Sequence, residues 1–447
     1  MKPEPPSDAP RKVYMKTFGC QMNEYDSGKM LALLAKDGFT PTEDAEEADL
    51  ILVNTCSVRE KPEQKLRSFI GEVRHHRARG ARIGIAGCMA QHAGEALFKR
   101  FREDVDLVFG PDQVPRVREL VERAQTERVL ENRFMDADDY PFVRELSPET
   151  AGQVGAFVTI QKGCDNKCTF CIVPATRGVE LSRPSAQILE EVRALTARGV
   201  REVTLLGQNV NSYGLKVGGE LTFAQLLYAV AAVPGVDRIR YTTSHPRDMG
   251  LDVVQAYRDL PQLTSHLHLP VQSGSDAVLR RMKRFYKRAD YLALVDRLQS
   301  ARPDLSLTTD VIVGFPGETD EDFEETMTLL ETVRFDGSFS FMYSPRPETP
   351  ALKLLDGAVP ESVMKARLAR FQKRQQELTL EGNKLMEGQV YDVLIEGPSR
   401  WDPAVVCGRT STFKMINLPG ELGWTGQTVP VRIVRGFTNT LRGERAA

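Results

Sequence analysis

Seven cysteines stand in this chain, and six of them fall into two trios. Cys164, Cys168 and Cys171 form a C-x3-C-x2-C loop directly after an expected strand at 156–161. Three thiolates on one loop can hold three corners of a [4Fe–4S] cluster, whereas four cysteines would ligate it fully. The missing fourth ligand leaves one iron open to a small chelating molecule, much as an open zinc position admits water or substrate. The alternative is zinc or cysteines with no shared role, but no histidine or further cysteine lies nearby in sequence to complete a tetrahedral set. Cys20, Cys56 and Cys88 make the second trio, spaced 36 and 32 residues apart. Singly, each would be an ordinary buried core cysteine. Their repeated placement at strand ends argues for a shared site, again with three ligands and an open iron.

The elements that must position these thiols follow from hydrophobic patterning. From 11 to 128, short apolar stretches at 12–18, 49–54 and 82–86 alternate with helical stretches such as 27–36 and 61–77. Strand–helix alternation predicts a Rossmann-like α/β domain with a parallel sheet. All strand carboxyl ends then lie along one edge, where such sheets bind ligands, and the three thiols converge there. Gly19 and Gly87, each before a cysteine, suit close backbone approach to a bulky inorganic ligand. An Asp/Glu-rich segment with Pro141 and Pro148 reads as a linker, 129–149.

A second alternating domain, 150–381, has strand candidates at 156–161, 202–206, 238–242, 266–269, 307–313 and 338–342. Six strand–helix repeats predict a partial (β/α)6 barrel of the TIM type, with function at the strand carboxyl ends. The last segment, 382–445, has evenly spaced short strands at 389–396, 405–409, 414–417, 428–434 and 438–442. Both tryptophans, Trp401 and Trp424, lie in it. That spacing predicts a small antiparallel β-barrel, a shape often used for oligonucleotides.

Composition sets the outer bounds. The chain has 447 residues, with 59 Lys and Arg against 61 Asp and Glu, for a formal net charge of −2. No global excess of cations points to nucleic acid. Seven cysteines are too few for a disulfide scaffold. Residues 1–10 are Pro-rich without the apolar core of a signal peptide, and the longest apolar stretch, 226–233, is too short to span a bilayer. A cytoplasmic protein with reduced thiols is expected.

The C-x3-C-x2-C loop, with Phe170 before its third cysteine, matches the signature of the radical S-adenosylmethionine (SAM) enzymes. The flanking segments extend the likeness: Thr17–Asn23 (TFGCQMN), Asn54–Arg59 (NTCSVR), Gly87–Gln91 (GCMAQ), Gly163–Arg177 (GCDNKCTFCIVPATR), Leu206–Gly214 (LGQNVNSYG), Thr243–Pro246 (TSHP), His268–Ser275 (HLPVQSGS) and Gly314–Thr319 (GFPGET). These resemble the methylthiotransferases, and the terminal barrel resembles a TRAM domain, an RNA-binding module. The likeness covers about residues 11 to 443. Ala175 departs from it, because the family usually has an aromatic residue after Val173-Pro174.

The resemblance implies two [4Fe–4S] clusters. One, on Cys164, Cys168 and Cys171, would bind SAM and cleave it to a 5′-deoxyadenosyl radical. The other, on Cys20, Cys56 and Cys88, would carry the sulfur. Cys-Gln-Met-Asn at Cys20 resembles the branch that methylthiolates C2 of N6-isopentenyladenosine at position 37 of tRNA. Branches acting on threonylcarbamoyl-adenosine or on a ribosomal protein are the alternative. The partners implied are a tRNA anticodon stem-loop, an electron donor of flavodoxin or ferredoxin type, and an iron–sulfur or sulfur carrier protein. No membrane is implied, and a monomer is expected.

Other candidates sit on the expected active face. Phe170, Gln208, Asn209, Gln272, Ser273, Gly314 and Glu318 are candidate SAM-binding residues. Glu318 either meets the SAM ribose or caps the following helix. Ordinary turn chemistry is the alternative for Asn209 and Ser273. His266 and His268 alternate on a strand and face one way, as packed, lining or zinc-binding groups. Cys407, outside both trios, is expected in a strand core. The run Arg280, Arg281, Lys283, Arg284, Lys287 and Arg288, interleaved with Phe285 and Tyr286, reads as phosphate contact. From Asn383 to Ala447, eight basic residues stand against six acidic ones. With Trp401, Phe413 and Phe437, that balance suits recognition of a stem-loop by shape and stacking.

Overall fold

The computed structural model describes residues 10–56, 61–136, 140–217, 220–400, 402 and 404–446. They form two compact units. Unit one holds the chain to Ala151 together with Lys162–Asp165 and Ile172–Arg183. Unit two holds Gly152–Gln161, Asn166–Cys171 and Pro184 onward.

Unit one is built on six parallel strands: β1 (Arg11–Phe18), β2 (Phe39–Pro41), β3 (Leu50–Thr55), β4 (Arg82–Ala86), β5 (Leu107–Phe109) and β6 (Val129–Glu131). Their spatial order is β2-β1-β3-β4-β5-β6. In β3 every residue is buried, as a central strand covered on both faces requires. Leu50 and Leu52 face one apolar core and Ile51 and Val53 the other, as the two-residue period of a strand dictates. Strands β2, β5 and β6 are three residues each, too short to show a period. They escape sequence reading for that reason.

The segment expected as a linker is bound to unit one. β6 joins the sheet, Val143 packs on a core face, and Lys29 Nζ donates to the Glu145 carbonyl at 2.7 Å. The Glu145 carboxylate pairs with Lys36, which is distant in sequence.

Unit two carries two three-stranded parallel sheets. One orders β7 (Gly155–Thr159), β8 (Glu202–Leu206) and β9 (Arg238–Tyr241) as β9-β8-β7. The other is β10 (His266–His268), β11 (Ser306–Val313) and β12 (Gly337–Met342), in that order. An isolated bridge pairs Ile239 of β9 with Leu263, three residues before β10. The result is the partial barrel expected, with its strand carboxyl ends along one rim.

The last five strands are β13 (Val390–Pro398), β14 (Val405–Thr410), β15 (Met415–Pro419), β16 (Thr428–Gly436) and β17 (Leu441–Arg445). They close into a barrel in the order β13-β14-β15-β17-β16. Four seams are antiparallel, but β15 pairs with β17 in parallel, so the barrel is not antiparallel throughout. The parallel seam joins strands that are not sequence neighbours, so no hairpin signal announces it.

The barrel's floor involves this small domain. The Phe413 ring lies 4.9 Å from the His266 ring and 4.5 Å from the Arg240 guanidinium. Arg240 also donates to the Glu202 carboxylate at 2.7 Å and to the Thr410 carbonyl at 3.0 Å. Phe413 is therefore engaged at the amino-terminal end of β10 while remaining 40% exposed. Trp401 lies outside the described residues. Cys407 is only half-buried and Val406 beside it takes the core position, so the expectation of a core cysteine is also corrected.

Candidate functional site

In unit one, β1, β3 and β4 are adjacent, and the order β2-β1-β3 places the topological switch point between β1 and β3, where open parallel sheets bind ligands. Cys20 caps the helix after β1, Cys56 follows β3, and Cys88 opens the helix after β4. The Cys56 amide donates to the Phe18 carbonyl at 2.9 Å, tying two of the cysteine loops together. Cys56 and Cys88 are buried and Cys20 is exposed.

A buried amide network holds this edge. Asn23 Nδ2 donates to Asn54 Oδ1 at 2.9 Å, and Asn54 Nδ2 donates to the Asn23 carbonyl at 2.8 Å. The cysteine-preceding glycines serve this network. A Cβ on Gly19 would lie 2.4 Å from Asn23 Oδ1, and one on Gly87 would lie 2.3 Å from Asn54 Oδ1. Both glycines thus leave room for the asparagine side chains. Gly87 also has φ 96°, which disfavours any side chain.

Two charged residues that sequence reading missed complete the site. Arg177 is buried and its Nη2 donates to Asp26 Oδ2 at 2.7 Å, and its side chain also bonds Cys88. A hydrogen bond with Cys56 draws the Cys20 thiol down to about 6, against desolvation and with Arg177 assisting. Burial pushes the Cys88 thiol up. The Arg177 guanidinium favours the charged form of both Cys20 and Cys88. Arg177 lay in the quoted ATR segment, but nothing there announced a buried cation.

The C-x3-C-x2-C loop is divided between the units, with Cys164 in the first and Cys168 and Cys171 in the second. In unit one the Cys164 amide donates to the Gly178 carbonyl at 3.2 Å. In unit two Arg284 Nη1 donates to Cys168 Sγ at 3.4 Å, and the Thr169 amide donates to the Met282 carbonyl at 3.0 Å.

Along the rim of unit two, Gln208 Oε1, Asn209 Oδ1 and Ser244 Oγ, just after β8 and β9, are buried without a partner among the described residues. Buried polar atoms rarely stay unpaired, so these are fit groups for a polar ligand. Asn209 Nδ2 is already committed to Asp248 Oδ2 at 2.8 Å. Gln272 sits at the end of β10 with φ 73°, and its backbone pairs with β11. Thr243, after β9, has φ 66°. Such left-handed backbone at non-glycine positions gathers at functional sites.

The remaining candidates are structurally committed. Ser273 Oγ accepts from the Ser275 amide at 3.2 Å, which is turn chemistry. Phe170 packs against the Phe315 and Tyr343 cluster. Gly314 has φ 73°, and its amide donates to Glu318 Oε1 at 3.0 Å. Glu318 is buried and accepts from Arg367 Nη1 at 2.7 Å, while burial pushes its carboxyl up. The cap of the following helix is Thr319, which corrects that reading of Glu318. His266 and His268 both meet Thr308 Oγ1, at 3.1 and 3.0 Å, as barrel-lining groups.

The basic run divides. Arg284 is buried, Arg281 binds the Gly317 carbonyl and Arg288 the Glu325 carbonyl, so these three are not free for phosphate. Arg280, Lys283 and Lys287 are exposed.

A parallel partial barrel bearing a C-x3-C-x2-C loop defines the radical SAM class, and the radical SAM superfamily matches residues 158–330. The uncharacterized protein family UPF0004 matches 12–110, and the TRAM domain matches 384–445. The chain belongs to the family of tRNA-2-methylthio-N(6)-dimethylallyladenosine synthases. The relative of that name from Anaeromyxobacter dehalogenans (strain 2CP-C) is 51% identical, over 99% of this chain and 96% of its own. The one from Myxococcus xanthus (strain DK1622) is 46% identical, over 98% and 94%. In fold, the chain is similar to the radical S-adenosylmethionine methyltransferase TsrM from Kitasatospora setae. The TM-score is 0.56 with 16% identity, over 77% of each chain. The cobalamin-dependent S-adenosylmethionine radical enzyme OxsB matches with TM-score 0.52 and 13% identity, over 80% of this chain and 56% of that one. At such identity these two speak to fold alone.

Proposed function

We propose that the chain methylthiolates C2 of N6-isopentenyladenosine at position 37 of tRNA. In this reading Cys20, Cys56 and Cys88 hold one [4Fe–4S] cluster, and Cys164, Cys168 and Cys171 hold the SAM-binding one. The observation that carries it is the adjacency of β1, β3 and β4, which delivers three distant thiols to one sheet edge beside a buried arginine. Adenine C2–H has no acidic proton, so side-chain acid–base chemistry has nothing to remove. When bound, the clusters and SAM supply the one-electron chemistry and the sulfur atom that no side chain provides.

The residues of the chain do the rest. Arg177 and Arg284 place positive charge beside a cysteine of each trio. Gln208 and Asn209 offer unpaired oxygens on the rim for the polar groups of SAM. Gly314 and Gln272 turn the backbone through left-handed conformations at the rim. Phe170 and Ser273 hold the loops, and Glu318 with Arg367 braces the turn after β11. Arg280, Lys283 and Lys287 with the TRAM domain bind the anticodon stem-loop through phosphates and stacked bases.

The same reading requires a one-electron donor of flavodoxin or ferredoxin type and an iron–sulfur or sulfur carrier protein. It places the enzyme in the cytoplasm as a monomer. No described helix is long and apolar enough to cross a membrane.

Nucleoside mass spectrometry of tRNA from a strain lacking the gene tests the substrate. Isopentenyladenosine should accumulate and its methylthio derivative should vanish. Loss of a methylthiolated threonylcarbamoyl-adenosine instead would transfer the assignment to that nucleoside. Anaerobically reconstituted protein should hold two four-iron clusters, and replacing Cys164, Cys168 and Cys171 with Ala should leave about half the iron. Unchanged or absent iron would refute the two-cluster arrangement.

A further inference from the structure

Arg284 is a cation buried with no anion. It is 5% exposed, and among the described residues no carboxylate pairs with it. Its Nη2 donates to the Pro270 carbonyl at 2.9 Å, its Nε reaches the Tyr286 hydroxyl at 3.4 Å, and its Nη1 points to Cys168 Sγ at 3.4 Å. The Tyr286 hydroxyl is itself committed as donor to the Val271 carbonyl at 2.7 Å. Burying an unpaired guanidinium is expensive, so such groups are retained opposite an anion. Among the described residues that Arg284 bonds, Cys168 is the one that belongs to the cysteine trio, and as a cluster ligand it would be a thiolate.

The backbone shows a second cost at the same place. Lys283 and Phe285, on either side of Arg284, both adopt left-handed conformations, with φ 55° and 58°. Left-handed backbone at two non-glycine residues is strained. Phe285 is 63% exposed, so core packing does not repay its strain. What the kinked loop achieves is to turn Arg284 inward onto the cysteine loop. The Thr169 amide bond to the Met282 carbonyl clamps the two loops together.

We propose that Arg284 is a positioning residue that sets the reduction potential of the cluster on Cys164, Cys168 and Cys171 through its charge and its N–H···S bond to Cys168. This rests on the reading that the trio holds a cluster. An oxidised four-iron cluster on three thiolates carries one net negative charge, and a single electron from an external donor of flavodoxin type makes it two. A fixed cation lowers the energy of the more negative form more, and hydrogen bonds to sulfur act in the same direction. Arg284 therefore raises the midpoint and eases the entry of that electron.

The test uses the full chain with Cys20, Cys56 and Cys88 replaced by Ala, reconstituted anaerobically so that one cluster is observed. Midpoints are read by redox titration against dithionite, followed by electron paramagnetic resonance, without SAM. Arg284→Gln should lower the reduction equilibrium at least tenfold, which is 59 mV for one electron. Arg284→Lys keeps the charge and should stay within about threefold of the parent. Tyr286→Phe removes a neighbouring hydroxyl but not the charge, and should leave the midpoint in place. Equal midpoints for the parent and Arg284→Gln would overturn the assignment, as would a fall for Tyr286→Phe as large as for Arg284→Gln. If Arg284→Gln fails to hold iron, Arg284→Met takes its place: a fall of at least tenfold supports the role of charge, and a midpoint equal to the parent's refutes it. Absence of iron from the parent variant would refute the cluster reading instead, while iron with an unmoved midpoint refutes only the role of Arg284.

Discussion

Gly87 illustrates how little freedom single residues have at the first trio. A methyl group there would lie 2.3 Å from Asn54 Oδ1 and 2.5 Å from the Thr55 carbonyl, at a φ that side chains avoid. Gly87→Ala should destabilise unit one by at least about 2 kcal/mol and lower iron uptake, read by denaturant unfolding and iron assay. The buried pair Glu318 and Arg367 makes a second residue-scale case. Arg367→Met would leave the Glu318 carboxylate buried without its partner, at a cost of about 3 kcal/mol. Glu318→Gln keeps an oxygen that can accept from the Gly314 amide, so it should cost clearly less in the same unfolding experiment. Equal losses would mean that shape rather than charge holds the turn.

At the scale of elements, two histidines embedded between strands and loops make unit two acid-sensitive. Burial, with Arg284 and Arg247 nearby, pulls His245 down to about 3, although Asp248 opposes this. Burial pushes His266 well below the usual range, with Arg240, His268 and Lys414 adding to it. Unfolded histidine takes up a proton near pH 6.5, which the folded sites refuse until far lower. Their contribution to stability is therefore complete above about pH 6.5 and is lost as the pH falls toward 3. The melting temperature should drop between pH 7 and 5. His245→Asn, whose side-chain oxygen can replace Nδ1 as acceptor for the Arg247 amide, should flatten that slope. At the junction of β10 with the terminal barrel, Phe413→Ala removes a stacked ring and should cost about 1 kcal/mol, seen as a lower melting temperature of unit two.

At the scale of the molecule, the net charge of −2 conceals local surfaces on which RNA affinity depends. Only the exposed members of the basic run are available to phosphates. Lys283→Ala with Lys287→Ala should weaken tRNA binding at low salt and reduce the slope of log affinity against log salt by about 1.5. Titration of an anticodon stem-loop at several salt concentrations measures both effects. A change in affinity without a change in slope would place these lysines outside the phosphate contacts.

Much of the architecture was legible before any coordinates. Continuous apolar stretches such as Leu50–Val53 can only be central strands, and their cysteine punctuation lies at their carboxyl ends because parallel strands share an edge. Cysteine spacing identified both trios, since a ligand set is a local pattern or a repeated one. Tertiary structure alone decided which charges were buried. Arg177, Asp26 and Arg284 look like any surface residues in sequence, because burial depends on what packs over them from distant elements. It also decided that Phe413 engages His266, and that β15 pairs in parallel with β17. Side-chain type and period along the chain are local and can be read, whereas solvation and strand pairing are collective properties that exist only once the chain has folded.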